Sequence, residues 1–315
     1  MNQKIIALKE ELAKAVIGQE TMIEGLLIGL LCDGHILVEG VPGLAKTTTI
    51  NALSHAIGLD AKRIQFTPDL LPSDIIGAQI YNPQDHTFSI KKGPLFTHLL
   101  LADEINRAPA KVQSALLEVM QERQVTIADE TFKLESPFLV MATQNPIEQE
   151  GVYALPEAQL DRFMMKLVVT HNNEEEELDI MRKVANKSFE EIHPVLNIED
   201  LHALQKELHN IHIDKELERY IVQLISATRD PDKFGLQDVS TCLMYGASPR
   251  ASIDLYKAAK AKAFLRGNTF VTPADIGYVI HNVLRHRIVL SYEARAKGMS
   301  SDAIISKIVE TLPIP

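Results

Sequence analysis

Short apolar runs alternate with helical periodicities over the first half of the chain, the pattern of a largely parallel sheet covered by helices. An apolar stretch over residues 22–32 ends at Asp33-Gly34, and residues 35–39 follow as a short strand. Further strands are expected over residues 63–67, 97–102, 137–143 and 164–169. The run at 97–102 is almost wholly apolar, as a strand buried on both faces requires. After it, Pro109 suits a first helical turn, with Val112, Ala115, Leu116 and Val119 on one face. Two stretches break the rhythm: residues 78–90 surround Asn82-Pro83-Gln84-Asp85, and residues 125–134 surround Ala128-Asp129-Glu130. Both predict β-hairpins inserted into the α/β layer. Beyond about residue 172 the strands stop. The acidic run 174–177 opens a helix whose N-terminal dipole it complements. The expected division is an α/β domain over residues 1–172 and an all-helical domain over residues 173–315.

Composition narrows the class without deciding it. A chain of 315 residues has room for two cores, and 46% hydrophobic with 23% charged residues is ordinary globular composition. The net charge of -10 argues against a general nucleic-acid binder, which carries a basic footprint. Cys32 and Cys242 allow neither a disulfide framework nor a zinc spacing, which points to a reducing compartment. The N-terminus reads as an amphipathic helix rather than a signal peptide. Residues 22–32 are too few to span a bilayer and contain Glu24. A cytoplasmic protein without membrane insertion is the expectation.

Candidate chemistry begins where the first strand ends. Gly40-Val41-Pro42-Gly43-Leu44-Ala45-Lys46-Thr47, with Thr48 next, matches a P-loop except that Ala45 replaces glycine. Such a loop aims bare N–H groups at phosphate oxygens from the positive end of a helix. Lys46 would reach the β- and γ-phosphates, and the Thr47 hydroxyl would ligate Mg²⁺. Ala45 fits if its φ is negative and helix-like, which we expect.

The other candidates lie at strand ends. Leu99-Leu100-Leu101-Ala102 runs into Asp103-Glu104, at the edge where α/β proteins place ligands. Asp103 would hold Mg²⁺ through its water shell, and Glu104 would act as general base on water. Asn145, after the next strand, could orient that water against the γ-phosphate. Arg162, in Leu160-Asp161-Arg162-Phe163, would project from the domain edge. Supplied to a neighbour as an arginine finger it would contribute roughly 10³–10⁵ in kcat, or about 4–7 kcal/mol of barrier. Arg250, in Ser248-Pro249-Arg250-Ala251 at a helix start, could reach back over the nucleotide.

This set, in this order, resembles an AAA+ ATPase, and more narrowly a MoxR-family ATPase over nearly the whole chain. The motifs carrying the resemblance are residues 38–47 and 65–74, Ala102-Asp103-Glu104-Ile105-Asn106-Arg107-Ala108-Pro109, Ala142-Thr143-Gln144-Asn145-Pro146, and residues 155–163. It implies that Lys46 and Thr47 belong to Walker A, Asp103 and Glu104 to Walker B, and Asn145 to sensor 1. By the same resemblance Arg162 is the trans finger, Arg250 is sensor 2, and Ile17-Gly18-Gln19 lies on the adenine side. The hairpins would be the helix-2 insert and the pre-sensor-1 hairpin. ATP and Mg²⁺ are the implied cofactors. A hexameric ring of identical copies is implied, acting as a chaperone-like remodeller with a separate von Willebrand factor A domain partner. A metal-chelatase-type motor, a nucleic-acid-acting motor and a small-molecule kinase are the alternatives. The acidic charge weighs against nucleic acid, and the second carboxylate, finger and lid have no task in a kinase.

Overall fold

Two helices, α1 (Gln3–Ala15) and α2 (Glu20–Cys32), lead into the first strand, β1 (Ile36–Glu39). The computed structural model describes residues 2–146 and 153–315 of the chain. Next come α3 (Lys46–Ile57), β2 (Ala61–Gln65), α4 (Pro72–Ile76) and a hairpin of β3 (Gly77–Asn82) and β4 (Thr87–Lys92). β5 (Leu99–Asp103) and α5 (Ala110–Glu122) are followed by a second hairpin, β6 (Gln124–Ile127) and β7 (Glu130–Lys133). β8 (Leu139–Gln144), α6 (Glu157–Leu160) and β9 (Met165–Val168) complete this half. Five strands form one parallel sheet in the order β2-β5-β8-β1-β9. All five expected strands are present, with ends shifted by one or two residues, and both expected hairpins form.

Strand alternation sorts the core into two layers. Ile36, Val38, Leu99, Leu101 and Met141 face Leu12 of α1, Leu26 of α2 and Leu53 of α3. Leu37, Leu100, Ala102 and Val140 face the other side, against Val112, Leu116 and Val119 of α5. A Leu→Ala change at such a position costs about 2–5 kcal/mol.

The second half runs through α7 (Glu174–Asn186), α8 (Ile198–His209), α9 (Lys215–Ala227), α10 (Gln237–Ser240), β10 (Leu243–Tyr245), α11 (Pro249–Leu265), α12 (Pro273–Leu284), β11 (Val289–Leu290), α13 (Tyr292–Ala296) and α14 (Ser301–Thr311). The expectation that strands end near residue 172 needs correction. β10 and β11 pair antiparallel through Leu243 and Leu290. Runs of three and two residues are too short to show a period, so only their pairing reveals them. α7 contains no buried residue and opens with an Asn173–Glu176 capping box.

One carboxylate ties the helical half to the sheet. Glu24 of α2 accepts from Lys9 of α1 at 2.9 Å, from Lys262 of α11 at 2.6 Å and from the Tyr278 hydroxyl of α12 at 2.6 Å. Among the described residues no helix is long and apolar enough to cross a membrane.

Candidate active site

Residues 40–45 leave the carboxyl end of β1 and turn into α3. The turn needs left-handed backbone at Gly43 (φ +88°) and again at Ala45 (φ 55°, ψ 18°). The expected negative φ at Ala45 is therefore wrong. Ala45 is the N-cap of α3, and reversing the loop into the helix while its carbonyl accepts from Thr49 N–H at 2.8 Å demands that conformation. For an alanine this costs about 1–2 kcal/mol that glycine would not incur. The Lys46 ammonium donates to the Gly40 carbonyl, closing the loop. Burial lowers the Lys46 pKa, and Asp103, Glu104 and Glu39 pull against that shift.

The two acids at the end of β5 are organised by one hydroxyl. Thr143 of β8 donates to Asp103 at 2.6 Å and accepts from the Glu104 N–H at 2.9 Å. From β2, Arg63 donates to Asp103 at 2.7 Å and Gln65 to Glu104 at 2.7 Å. Arg107 adds a cation to Glu104 at 3.2 Å.

These groups line one cleft of about 730 Å³, shared by Pro42 to Thr48, Asp103, Glu104 and Asn145. That size suits a nucleotide. Its far wall is apolar, with Ile17, Ile180, Val184 and Phe189, as a base requires. Gly18 and Gln19 follow Ile17 in the chain and are not themselves among the lining residues. Gln19 donates to Asn172 at 2.6 Å, and a Cβ on Gly18 (φ +71°) would sit 2.3 Å from the Glu176 carboxylate. Gly40 and Val41 are not among the lining residues. Thr47 and Asp103 offer an all-oxygen donor set, which fits Mg²⁺ held by few protein oxygens plus phosphates. Among the described residues no cluster of three His, Cys, Asp or Glu competes for a metal.

Arg162 and Arg250 lie elsewhere. Both line a second cleft of about 260 Å³ with Asp33, His35, Arg123, Asp161 and Lys257. It shares no lining residue with the first cleft. Asp33 and His35 precede β1 and Arg162 precedes β9, so this cleft is at the amino edge of the parallel sheet. The P-loop is at the carboxyl edge, a strand's length away. Arg250, expected to reach back over the nucleotide, lines this second cleft and not the one around the P-loop. Ser248 at the start of α11 donates to Asp161 at 2.9 Å and Arg250 pairs with it at 3.5 Å, which holds that end of the helix at the amino edge.

Several site residues had no role in the sequence reading. Arg63 and Gln65 alternate along β2 beside β5, and the register pairs Gln65 with Asp103. Thr143 is one residue past the apolar run of β8. Ile180, Val184 and Phe189 sit on or after a helix whose sequence gives no sign of a ligand. Alternation in a strand bordering the acids is the signal that could have found the first two.

Known proteins agree with this geometry. Residues 35–165 match the ATPase family associated with various cellular activities, and residues 236–308 match the AAA lid domain. The chain is 47% identical over 305 residues to Chaperone MoxR1 of Mycobacterium tuberculosis, covering 97% of this chain and 81% of that one. It is 30% identical to Protein MoxR of Methylorubrum extorquens, with 98% and 94% of the two chains covered. A crystal structure described as an ATPase from Cytophaga hutchinsonii superposes with a TM-score of 0.94 at 51% identity, covering 99% of this chain and 95% of that one. With a P-loop, two acids and a strand-end Asn around one cleft, the chain belongs to the MoxR family of AAA+ ATPases, enzymes that hydrolyse ATP.

Proposed function

We propose that the chain hydrolyses Mg–ATP within a ring of identical copies and uses the cycle to remodel client protein complexes. Residues 1–172 act as the nucleotide-binding domain and residues 173–315 as a lid. The N–H groups from Gly43 to Thr48, with Lys46, hold the phosphates. Thr47 and Asp103 hold the Mg²⁺, which when bound neutralises phosphate charge. Glu104 takes a proton from the attacking water and Asn145 orients that water. Arg162 and Arg250 act on the nucleotide of the adjoining copy.

The opposite-edge placement of Arg162 and Lys46 carries this reading, because no single copy can bring both to one triphosphate. Among the described residues Arg162 makes no side-chain hydrogen bond or ion pair, so its charge is available to an anion. The remodelling role is supported by the relative named a chaperone. Six copies and a von Willebrand factor A domain partner follow from resemblance, and a cytoplasmic setting from the cysteine usage of the chain.

The test mixes Arg162→Ala with Lys46→Ala subunits, each inactive alone. Restored turnover is expected, since each supplies what the other lacks. Absence of restoration in mixed assemblies of verified composition would end the trans reading. A Glu104→Gln chain, which retains ATP, is then the bait for clients.

A further inference from the structure

Arg287, between α12 and β11, is buried to 1% exposure of its side chain and spends its guanidinium on the segment that carries Arg162. It donates to the Asp161 carbonyl at 3.1 Å and the Phe163 carbonyl at 2.9 Å, the two carbonyls flanking Arg162. Further bonds reach the Met164 carbonyl at 3.3 Å and the Val283 carbonyl at 3.1 Å. Its Nε donates to the Asp161 carboxylate at 2.9 Å, and an Nη to Asp254 of α11 at 2.5 Å. His286 adds a bond to the same Phe163 carbonyl at 2.9 Å.

Asp161 is the other half of the arrangement. Its carboxylate accepts from Arg287, from Ser248 at the cap of α11 at 2.9 Å, and pairs with Arg250 at 3.5 Å. One carboxylate and one buried guanidinium thereby join the backbone at Arg162 to the helix start that carries Arg250. A planar fork with five fixed donors suits such a junction, and lysine does not reproduce it.

We propose that Asp161 and Arg287 are positioning residues that lock Arg162 and Arg250 into one rigid pair, so that the two guanidiniums meet the neighbouring triphosphate together. Neither residue touches the nucleotide. The proposal rests on the reading that both arginines act in trans. It also couples the finger, which precedes β9 in the sheet, to α11 and the segment after α12 in the helical half.

The experiment uses full-length chains in mixed assemblies. Arg162→Ala subunits are the acceptors, with an intact cleft and no finger. Lys46→Ala subunits are the donors, with or without Arg287→Lys. Donors with the intact pair are expected to restore turnover. Donors that also carry Arg287→Lys are expected to support a kcat lower by roughly tenfold to a hundredfold, the range open to an ångström-scale misplacement, at unchanged KM for ATP. Equal kcat from both donors overturns the proposal, as does a change confined to KM. Failure of the unmodified donor would instead refute the trans reading itself. If Arg287→Lys lowers the melting temperature enough to prevent assembly, Ser248→Ala decides in its place. That change removes the hydroxyl that donates to the Asp161 carboxylate and caps the Arg250 N–H at 3.2 Å, so it loosens Arg250 from Asp161, and it leaves Arg287 buried. A several-fold loss of donation supports the pair, and full donation overturns it.

Discussion

Gln65 donates its side-chain amide to the Glu104 carboxylate at 2.7 Å, from a strand that pairs with the one ending in the two acids. Arg107 holds the same carboxylate oxygen at 3.2 Å. Glu104 itself has left-handed backbone (φ 56°, ψ 50°), so its direction is set by these side-chain bonds as well as by the main chain.

Removing one tether should therefore show in the chemical step. Gln65→Ala is expected to lower kcat by roughly tenfold, a fraction of the 10²–10⁴ that a positioned general base contributes. The KM for ATP should stay within about twofold, because the phosphate loop is untouched. Steady-state ATPase assays decide this, and an effect on KM alone would place Gln65 on the nucleotide instead.

Thr143 serves both acids and is 1% exposed. Thr143→Val leaves the Glu104 N–H without its acceptor and takes the Thr143 donor from one Asp103 oxygen, the other keeping Arg63, at a cost of about 1–3 kcal/mol. Thr143→Ser keeps the hydroxyl and should keep most activity. Denaturant midpoints and turnover, measured on both variants, separate loss of the hydroxyl from loss of the methyl.

Ala45 offers a test of backbone strain. Glycine weakens a helix interior but is accepted at an N-cap, and at φ 55° Ala45→Gly relieves about 1–2 kcal/mol of strain. Greater freedom of the unfolded chain offsets about 0.4–1 kcal/mol of that gain. Stability should be equal or higher by up to about 1.5 kcal/mol, with ATP bound at least as tightly. Ala45→Val, β-branched in a left-handed position, should lose stability. A clear loss with glycine would contradict the conformation described.

Acid should loosen the joint between the halves. Burial raises the Glu24 pKa, yet hydrogen bonds from Lys262, Tyr278 and Lys9 outweigh it and hold the group at about 2. A carboxyl depressed in the folded state stabilises fully above its unfolded value and loses that contribution as pH falls towards the folded one. The contribution of Glu24 should thus disappear between its ordinary value of 4.5 and about 2. Glu24→Gln should be less stable at neutral pH, and the gap to the parent should close across that interval. Thermal melts over a pH series read both.

The nucleotide half was legible because its signals are local. The P-loop is one contiguous string, and strands such as Leu99–Asp103 are apolar enough to declare themselves. Glu104 and Asn145 were found because both follow such strands. What escaped depends on distance along the chain. The place of Arg250 is fixed by bonds between α11 and Asp161, a separation of 87 residues for Ser248, and no local pattern encodes it. Ala45 shows another limit, since an alanine side chain gives no sign that its loop demands left-handed backbone. Gln65 required the strand register, which becomes visible only when β2 lies beside β5.

Having the P-loop cleft and the Arg162 cleft at opposite edges of one sheet gives the molecule a polarity, which on the proposed reading is a head that grips and a tail that triggers. If turnover needs one of each, the countable unit is the junction between copies. An open arc then always carries one idle head, and closing it converts that last idle position into a working one. Closure would raise specific activity most in the smallest assemblies, where the single dead end is the largest share of the whole.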